Sequence, residues 1–309
     1  MVMERQASIA SQRTRTAWLF LAPMLIILAV VAVWPLGRTL YFSLTNATLV
    51  DMSTYRFVGF SNYIAYDNGR WYGVLTDPQW LTALRNTLVF AFISVTLETV
   101  LGVLIALLLN ISFPGRGLMR AAMLVPWAIP TVVSAKMWGW MLNDQFGVIN
   151  DILLKVGFIS EPVAWLADPN LAMASIIIVD VWKTTPFVAL LALAALQKVP
   201  KDCYEAARVD GIHPLKQLFR ITLPLIAPAL AVAVIFRLLD AMRMFDLVYI
   251  LTGATDATMT LSVLAQRELV GFQDVGYGSA ISTLVFFIIA LLTAIYIMAM
   301  RVDFGGKPR

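Results

Sequence analysis

Cysteine and histidine are nearly missing from this sequence of 309 residues, which has one of each, Cys203 and His213. A single thiol makes no disulfide framework and no Cys-x-x-Cys pair, and a single imidazole makes no histidine-based zinc site, so no metal site is expected. Charge is scarce too: 14% of residues are charged against 60% hydrophobic, a balance foreign to soluble domains. No Gly-x-x-x-x-Gly-Lys-Ser/Thr loop occurs, and without its amides and lysine nothing cradles a nucleotide's phosphates. The chain is therefore not expected to hydrolyse ATP or to bind a cofactor. No repeat, low-complexity tract or linker divides it, so one domain over 1–309 is expected.

What the sequence does have is long apolar runs and a mean hydropathy of +0.79, which makes a bilayer the implied solvent. A helix crosses the hydrocarbon with about 20 mainly apolar residues. Six stretches meet that length, at 17–36, 88–109, 121–142, 171–196, 223–241 and 279–300, and an all-α membrane protein of six transmembrane helices is expected. Arg5, Arg13 and Arg15 before the first run suggest a secretion signal. The run is too long for one, however, and it ends in Trp34-Pro35 instead of a small-residue cleavage site, so it reads as a retained span.

Positive residues keep loops on the cytoplasmic side. With six spans both termini share a face. That face carries Arg5, Arg13, Arg15, Arg116, Arg120, Lys198, Lys201, Arg208, Lys216, Arg220, Arg301, Lys307 and Arg309. The longer opposite loops carry fewer cations and most of the acids, so both termini are expected inside. The net charge of +4 then belongs to short loops beside spans and calls for no nucleic acid.

Three loops stand out. The outer loop 37–86 is polar and aromatic, and its Tyr and Trp residues suit anchoring at the membrane interface. The second outer loop holds a short apolar stretch, Val148 to Val156, that ends at Gly157 and fits an interfacial or re-entrant helix. The inner loop 197–222 reads as helix, turn, helix: a start at Pro200–Asp202, a short helix through Glu205 to Val209, a turn at Gly211, and an amphipathic helix from Leu215.

Charges inside spans are costly unless they face protein or water, which makes Glu98, Lys136, Asp180, Lys183, Arg237 and Asp240 candidates for a pathway. Their signs balance, so buried pairing, for instance of Glu98 and Lys136, stays open. Asp180, Thr184 and Phe187 share a helical face at i, i+4 and i+7, flanked by Trp182 and Lys183. Arg237, Asp240, Ala241 and Met244 follow the same rule in the fifth span. Acids, a cation and an aromatic on such faces suit sugar hydroxyls and the apolar face of a sugar ring. Pro126, Pro130 and Pro186 either free carbonyls toward such a cavity or only kink their helices.

Glu205-Ala206-Ala207, Gly211, Ile221, Leu223, Pro224 and Pro228 resemble the EAA loop of ABC importer permeases. FVGFSNY at 57–63, LRNTLVF at 84–90, FPGRGLMRAAMLVPWAIP at 113–130 and DVGYGSA at 274–280 resemble the sugar-importer branch related to the maltose permease. VWKTTPFVALL and FRLLDAMRMFD look closest to permeases for trehalose or maltose. The resemblance implies an ABC importer permease fold with a cytoplasmic EAA coupling helix in which Tyr204, Glu205, Ala206, Ala207, Asp210 and Gly211 meet an ATPase subunit. It also implies a translocation site lined at Asp180, Thr184, Phe187, Asp240, Ala241 and Met244, although Ala241 and Met244 replace polar groups; the helical faces add Trp182, Lys183 and Arg237 to the expected substrate site. The implied partners are a second homologous permease, two ATPase subunits holding ATP and Mg, and an extracytoplasmic solute-binding protein. The implied setting is the cytoplasmic or inner membrane of a bacterium or archaeon. This chain departs from the maltose permease itself in having six spans instead of eight and no large inserted outer domain.

Three other readings stay open at this point. A glycerol-phosphate importer would use Arg237 and Lys183 for an anion. An ion-coupled carrier would titrate Asp180 or Asp240, yet the paired inverted repeats it requires are not found. An integral-membrane glycosyl transferase would need catalytic carboxylates near water, and the outer loops hold only scattered acids.

Overall fold

The computed structural model describes the backbone of residues 2–300 and the side chains of 13–299, so Arg301, Lys307, Arg309 and the side chain of Arg5 lie outside the described residues. Helix α1 runs through Val2–Leu28, a π-helical turn Ala29–Val33 and Trp34–Phe42. There follow a hairpin of β1 (Ala65–Asp67) and β2 (Arg70–Tyr72), α2 (Pro78–Asn110), α3 (Arg116–Ala128), α4 (Thr131–Met141), α5 (Val148–Val156) and α6 (Ala172–Leu196). The chain continues with α7 (Lys201–Val209), α8 (Pro214–Met242), α9 (Asp246–Thr252), α10 (Leu261–Gln266) and α11 (Val275–Met300). Five of these helices are long and apolar enough to cross a membrane, and a sixth crossing results if α3 and α4 count as one.

The third span is where the expectation of a single helix over 121–142 fails. α3 and α4 meet at 91°. Ile129 is extended (ψ 132°) because the ring of Pro130 disfavours helical backbone in the residue before it. Pro130 also brings no N–H with which to continue the hydrogen-bond ladder.

Contacts divide the molecule into two compact units. One holds the chain up to Val74 together with Glu268–Thr283, and the other holds Leu75–Arg267 with the segment from Leu284 onward.

In the first unit the FVGFSNY and DVGYGSA segments close on one carbonyl. Asn62 Nδ2 donates to Thr45 O (2.7 Å) and Ser43 O (2.9 Å). Gly276 packs against the same Thr45 carbonyl so closely that a Cβ there would also sit 3.1 Å from Asn62 Nδ2. Those two motifs therefore hold loop geometry. The apolar stretch of α1, Arg13–Phe42, is largely exposed, and only its last residue, Phe42, is buried.

In the second unit α2, α6 and α8 form the core. Asp77 caps α2 by accepting from Gln79 N at 2.8 Å, with Pro78 at the first helical position. Ala106, Leu109, Ala192, Leu193, Leu196 and Ile226 make a buried cluster between the three helices. Small residues suit such contacts, because lipid leaves close van der Waals packing as a main source of helix association. The LRNTLVF segment fixes the loop before α10: Asn86 Nδ2 donates to Asp256 O and Met259 O, and Thr87 Oγ1 accepts from Leu261 N at 2.9 Å.

The expected short helices are present. α5 ends on Gly157 (φ 77°), with Phe158 N donating to Leu153 O. α7 ends in a Schellman turn: Ile212 N donates to Ala207 O (2.9 Å) and Gly211 N to Arg208 O (3.0 Å), with Gly211 at φ 67°. His213, exposed and in extended backbone, caps α8, its Nδ1 accepting from Leu215 N at 3.3 Å. The helix then runs through a π-helical turn, Leu218–Thr222, directly into the fifth span.

Candidate functional site

α2, α6 and α8 bring four of the six intramembrane charges together. Arg237 of α8 is the hub, with only 4% of its side chain exposed. Its Nε donates to Glu98 Oε2 at 2.5 Å and its Nη2 to Glu98 Oε1 at 2.9 Å, a two-bond fork. Nη2 also reaches Asp180 Oδ2 (3.1 Å), and Nη1 donates to Asp240 Oδ2 (2.5 Å) one turn away on α8. Thr184 Oγ1 lies 2.7 Å from Glu98 Oε1 and 2.6 Å from the Asp180 carbonyl, and its single proton serves one of them. Asp180 Oδ1 is buried without a hydrogen-bond partner.

This geometry corrects the pairing left open by sign balance. Glu98 pairs with Arg237, and Lys136 is exposed. Charge compensation in a low-dielectric interior requires contact, and Arg237, unlike a lysine, offers a planar fork that meets both carboxylate oxygens.

A cavity of about 250 Å³ lies over this cluster. Five residues singled out from the sequence line it: Lys183, Thr184 and Phe187 from α6, and Arg237 and Asp240 from α8. Asp240 is the outward member, with half of its side chain exposed. Trp127, Phe236 and Arg243 complete the wall, and the two aromatics were not singled out. Trp127 stacks on Phe187, with ring centroids 6.1 Å apart and planes at 28°. Its position two residues before Ile129–Pro130 was the available signal.

The remaining sequence candidates lie off the wall. Asp180 is buried behind it, and Trp182 packs edge-on against Trp138 at 5.4 Å. Ala241 is wholly buried. Met244 does not share the helical face expected for it, because α8 ends at Met242; its carbonyl accepts from Thr260 Oγ1 (2.9 Å). The sequence also allowed Arg243 and Asp246 a rim pair or a contact with a delivery protein; among the described residues Arg243 lines the cavity and no such pair is formed.

A larger groove of about 590 Å³ runs along α1 in the other unit, between Ala29 and Tyr55. It is mainly apolar, and its one cation, Arg38, sits 4.9 Å over the Phe42 ring, so it offers little to a polar solute.

At the far end of α8, α7 presents an exposed surface. Glu205, Ala206, Arg208 and Asp210 are exposed, as is Val209 at 88%. Ala207 faces inward, and Tyr204 is tied to the start of α8 by a 3.4 Å hydrogen bond from Thr222 Oγ1 to its hydroxyl.

Residues 98–304 match the family described as binding-protein-dependent transport system inner membrane component. The chain belongs to that family. It is 40% identical to the trehalose/maltose transport system permease protein MalF of Thermococcus litoralis, over 94% of this chain and 95% of that one. It is 38% identical to the trehalose transport system permease protein SugA of Mycobacterium tuberculosis, over 99% and 95%. A bacterial ABC transporter involved in the import of alginate shares the fold, with a TM-score of 0.75 at 21% identity, covering 97% of this chain and 100% of that one. The protein is accordingly a multi-pass ABC-transporter permease subunit of the inner membrane, not an enzyme. The glycosyl-transferase and ion-coupled readings fall with that membership.

Proposed function

We propose that this permease is half of an ATP-driven importer that passes a disaccharide of the trehalose or maltose type by alternating access. The observation that carries the reading is the cavity over the Arg237 cluster. It sets the rings of Trp127, Phe187 and Phe236 beside the polar groups of Asp240, Thr184 and Lys183. Rings suit the apolar face of a pyranose, and the charged groups suit its hydroxyls. The names borne by the two relatives agree with such a cargo. At about 250 Å³ the cavity is smaller than most small-molecule sites, so a second permease completes the pathway and covers part of the exposed surface of α1.

Two cytoplasmic ATPase subunits hold ATP and Mg, and an extracytoplasmic binding protein delivers the solute. α7 is the coupling element. Glu205, Ala206, Asp210 and Val209 offer an exposed surface to an ATPase groove, while the Schellman turn at Gly211 and the Tyr204–Thr222 bond transmit its movement to α8. Both termini lie inside the cell, in keeping with the basic inner loops.

A charged cargo is the second reading. The chain is 37% identical to the sulfoquinovosyl glycerol transport system permease protein SmoG of Agrobacterium fabrum, and the cavity wall carries Lys183 and Arg243, which form no ion pair among the described residues. ATP-dependent uptake into proteoliposomes holding the complete assembly tests both readings. Trehalose or maltose entry is expected, and entry of glycerol phosphate alone would replace the first reading with the second.

A further inference from the structure

Three cations line the cavity, Lys183, Arg237 and Arg243, against one carboxylate, Asp240. By its lining alone the cavity is therefore strongly positive, a wall suited to an anion. Two further carboxylates stand directly behind it and touch no solvent. Glu98 holds Arg237 by its two-bond fork, and Asp180 takes a third bond from the same guanidinium at 3.1 Å. When these two are counted, the formal charges of the cavity and its backing cancel.

We infer that Glu98 and Asp180 are specificity-determining residues that never touch the solute: they neutralise Arg237 from behind and so set the cavity for an uncharged sugar instead of an anionic one. The inference rests on the sugar reading above. Two physical features support it. A buried charge acts over several ångströms because the surroundings screen it weakly, so a carboxylate behind the wall lowers the potential in front of it. In addition, the fork fixes Arg237 in place: three of its nitrogens are committed to carboxylates, two of them to Glu98 or Asp180, and only 4% of the side chain is exposed. Removing either backing carboxylate leaves uncompensated positive charge, and removing Glu98 also releases the guanidinium toward the cavity. Selectivity against anions then comes from groups behind the wall as well as from those on it.

The test uses the assembled complex of both permeases and the ATPases in nanodiscs, without binding protein, so that the permease site alone is read. Trehalose and trehalose 6-phosphate serve as probes of the same ring framework with and without charge, and their affinities are compared by saturation-transfer NMR. The native complex is expected to prefer trehalose. Glu98→Gln and Asp180→Asn should each move the affinity ratio toward the phosphate by about tenfold, an effect that weakens as salt rises. Glu98→Asp should keep the native ratio, and the double variant Glu98→Gln/Arg237→Gln, which removes a charge of each sign, should return to it.

An unchanged ratio in Glu98→Gln and Asp180→Asn would overturn the inference, as would a double variant that prefers the phosphate. If Glu98→Gln does not assemble, Asp180→Asn decides in the same assay, since it deletes only one bond to Arg237. Should the native complex bind neither probe while the variants gain the phosphate, the sugar reading falls and this inference stands. Should the native complex prefer trehalose with no shift in the variants, the inference alone falls.

Discussion

Gly102 of α2 lies directly against Val188 of α6: a Cβ on Gly102 would stand 2.8 Å from Val188 Cγ1 and 3.0 Å from the Ala189 nitrogen. This contact between α2 and α6 thus depends on a missing side chain. Gly102→Ala should cost about 1–3 kcal/mol through overpacking, and Val188→Ala in the same chain should recover part of it. Thermal unfolding of the solubilised complex measures both. An unchanged midpoint in Gly102→Ala would mean that the helices separate freely.

Gly211 carries a positive φ of 67°, and the two hydrogen bonds of the Schellman turn hold it there. Left-handed backbone costs a side-chain-bearing residue about 1–2 kcal/mol, most for β-branched ones and least for Asn. Gly211→Val should therefore reorient α7 and lower solute-stimulated ATP turnover several-fold, whereas Gly211→Asn should stay near the parent. The turn is exposed, so membrane insertion should be unaffected in both, and quantitative blotting of membranes checks that.

Glu205 is exposed on α7 and free of ion pairs among the described residues. Glu205→Lys should leave the subunit inserted and assembled with its partner permease, yet uncouple it from the ATPase. Solute-stimulated ATP hydrolysis in proteoliposomes should fall by an order of magnitude or so, and a parental rate would count against the lever role.

Trp127 stacks on Phe187 beside the cavity. If its ring supports a sugar, Trp127→Leu should lower disaccharide uptake per ATP by about tenfold, at the upper end of the roughly 0.5–1.5 kcal/mol of an aromatic contact, while Trp127→Phe keeps most of it. Equal losses in both variants would point to packing as its role.

Much of this architecture was legible in the sequence because bilayer thickness imposes length on apolar runs. The fifth span's Arg237 and Asp240 and the fourth's Lys183, Thr184 and Phe187 reached one cavity because helical periodicity is a local rule. The same rule failed at Met244, since a face persists only while the helix does and α8 ends two residues earlier. Balanced signs showed that Glu98 needed a partner, but the partner lay 139 residues away on a helix whose rotation is set by packing. The Pro130 break could be foreseen, whereas its 91° angle could not, because proline removes a hydrogen bond and leaves the direction to tertiary contacts.

The account depends above all on α7 lying inside the cell, where an ATPase can reach it. The chain's one cysteine, Cys203, sits on that helix, half-buried, and Val209 at its end is 88% exposed. Val209→Cys in a Cys203→Ser background places a single accessible thiol at the critical point. A membrane-impermeant maleimide should label it in inside-out vesicles and leave it untouched in intact cells; labelling in intact cells would place the coupling helix outside and contradict the account.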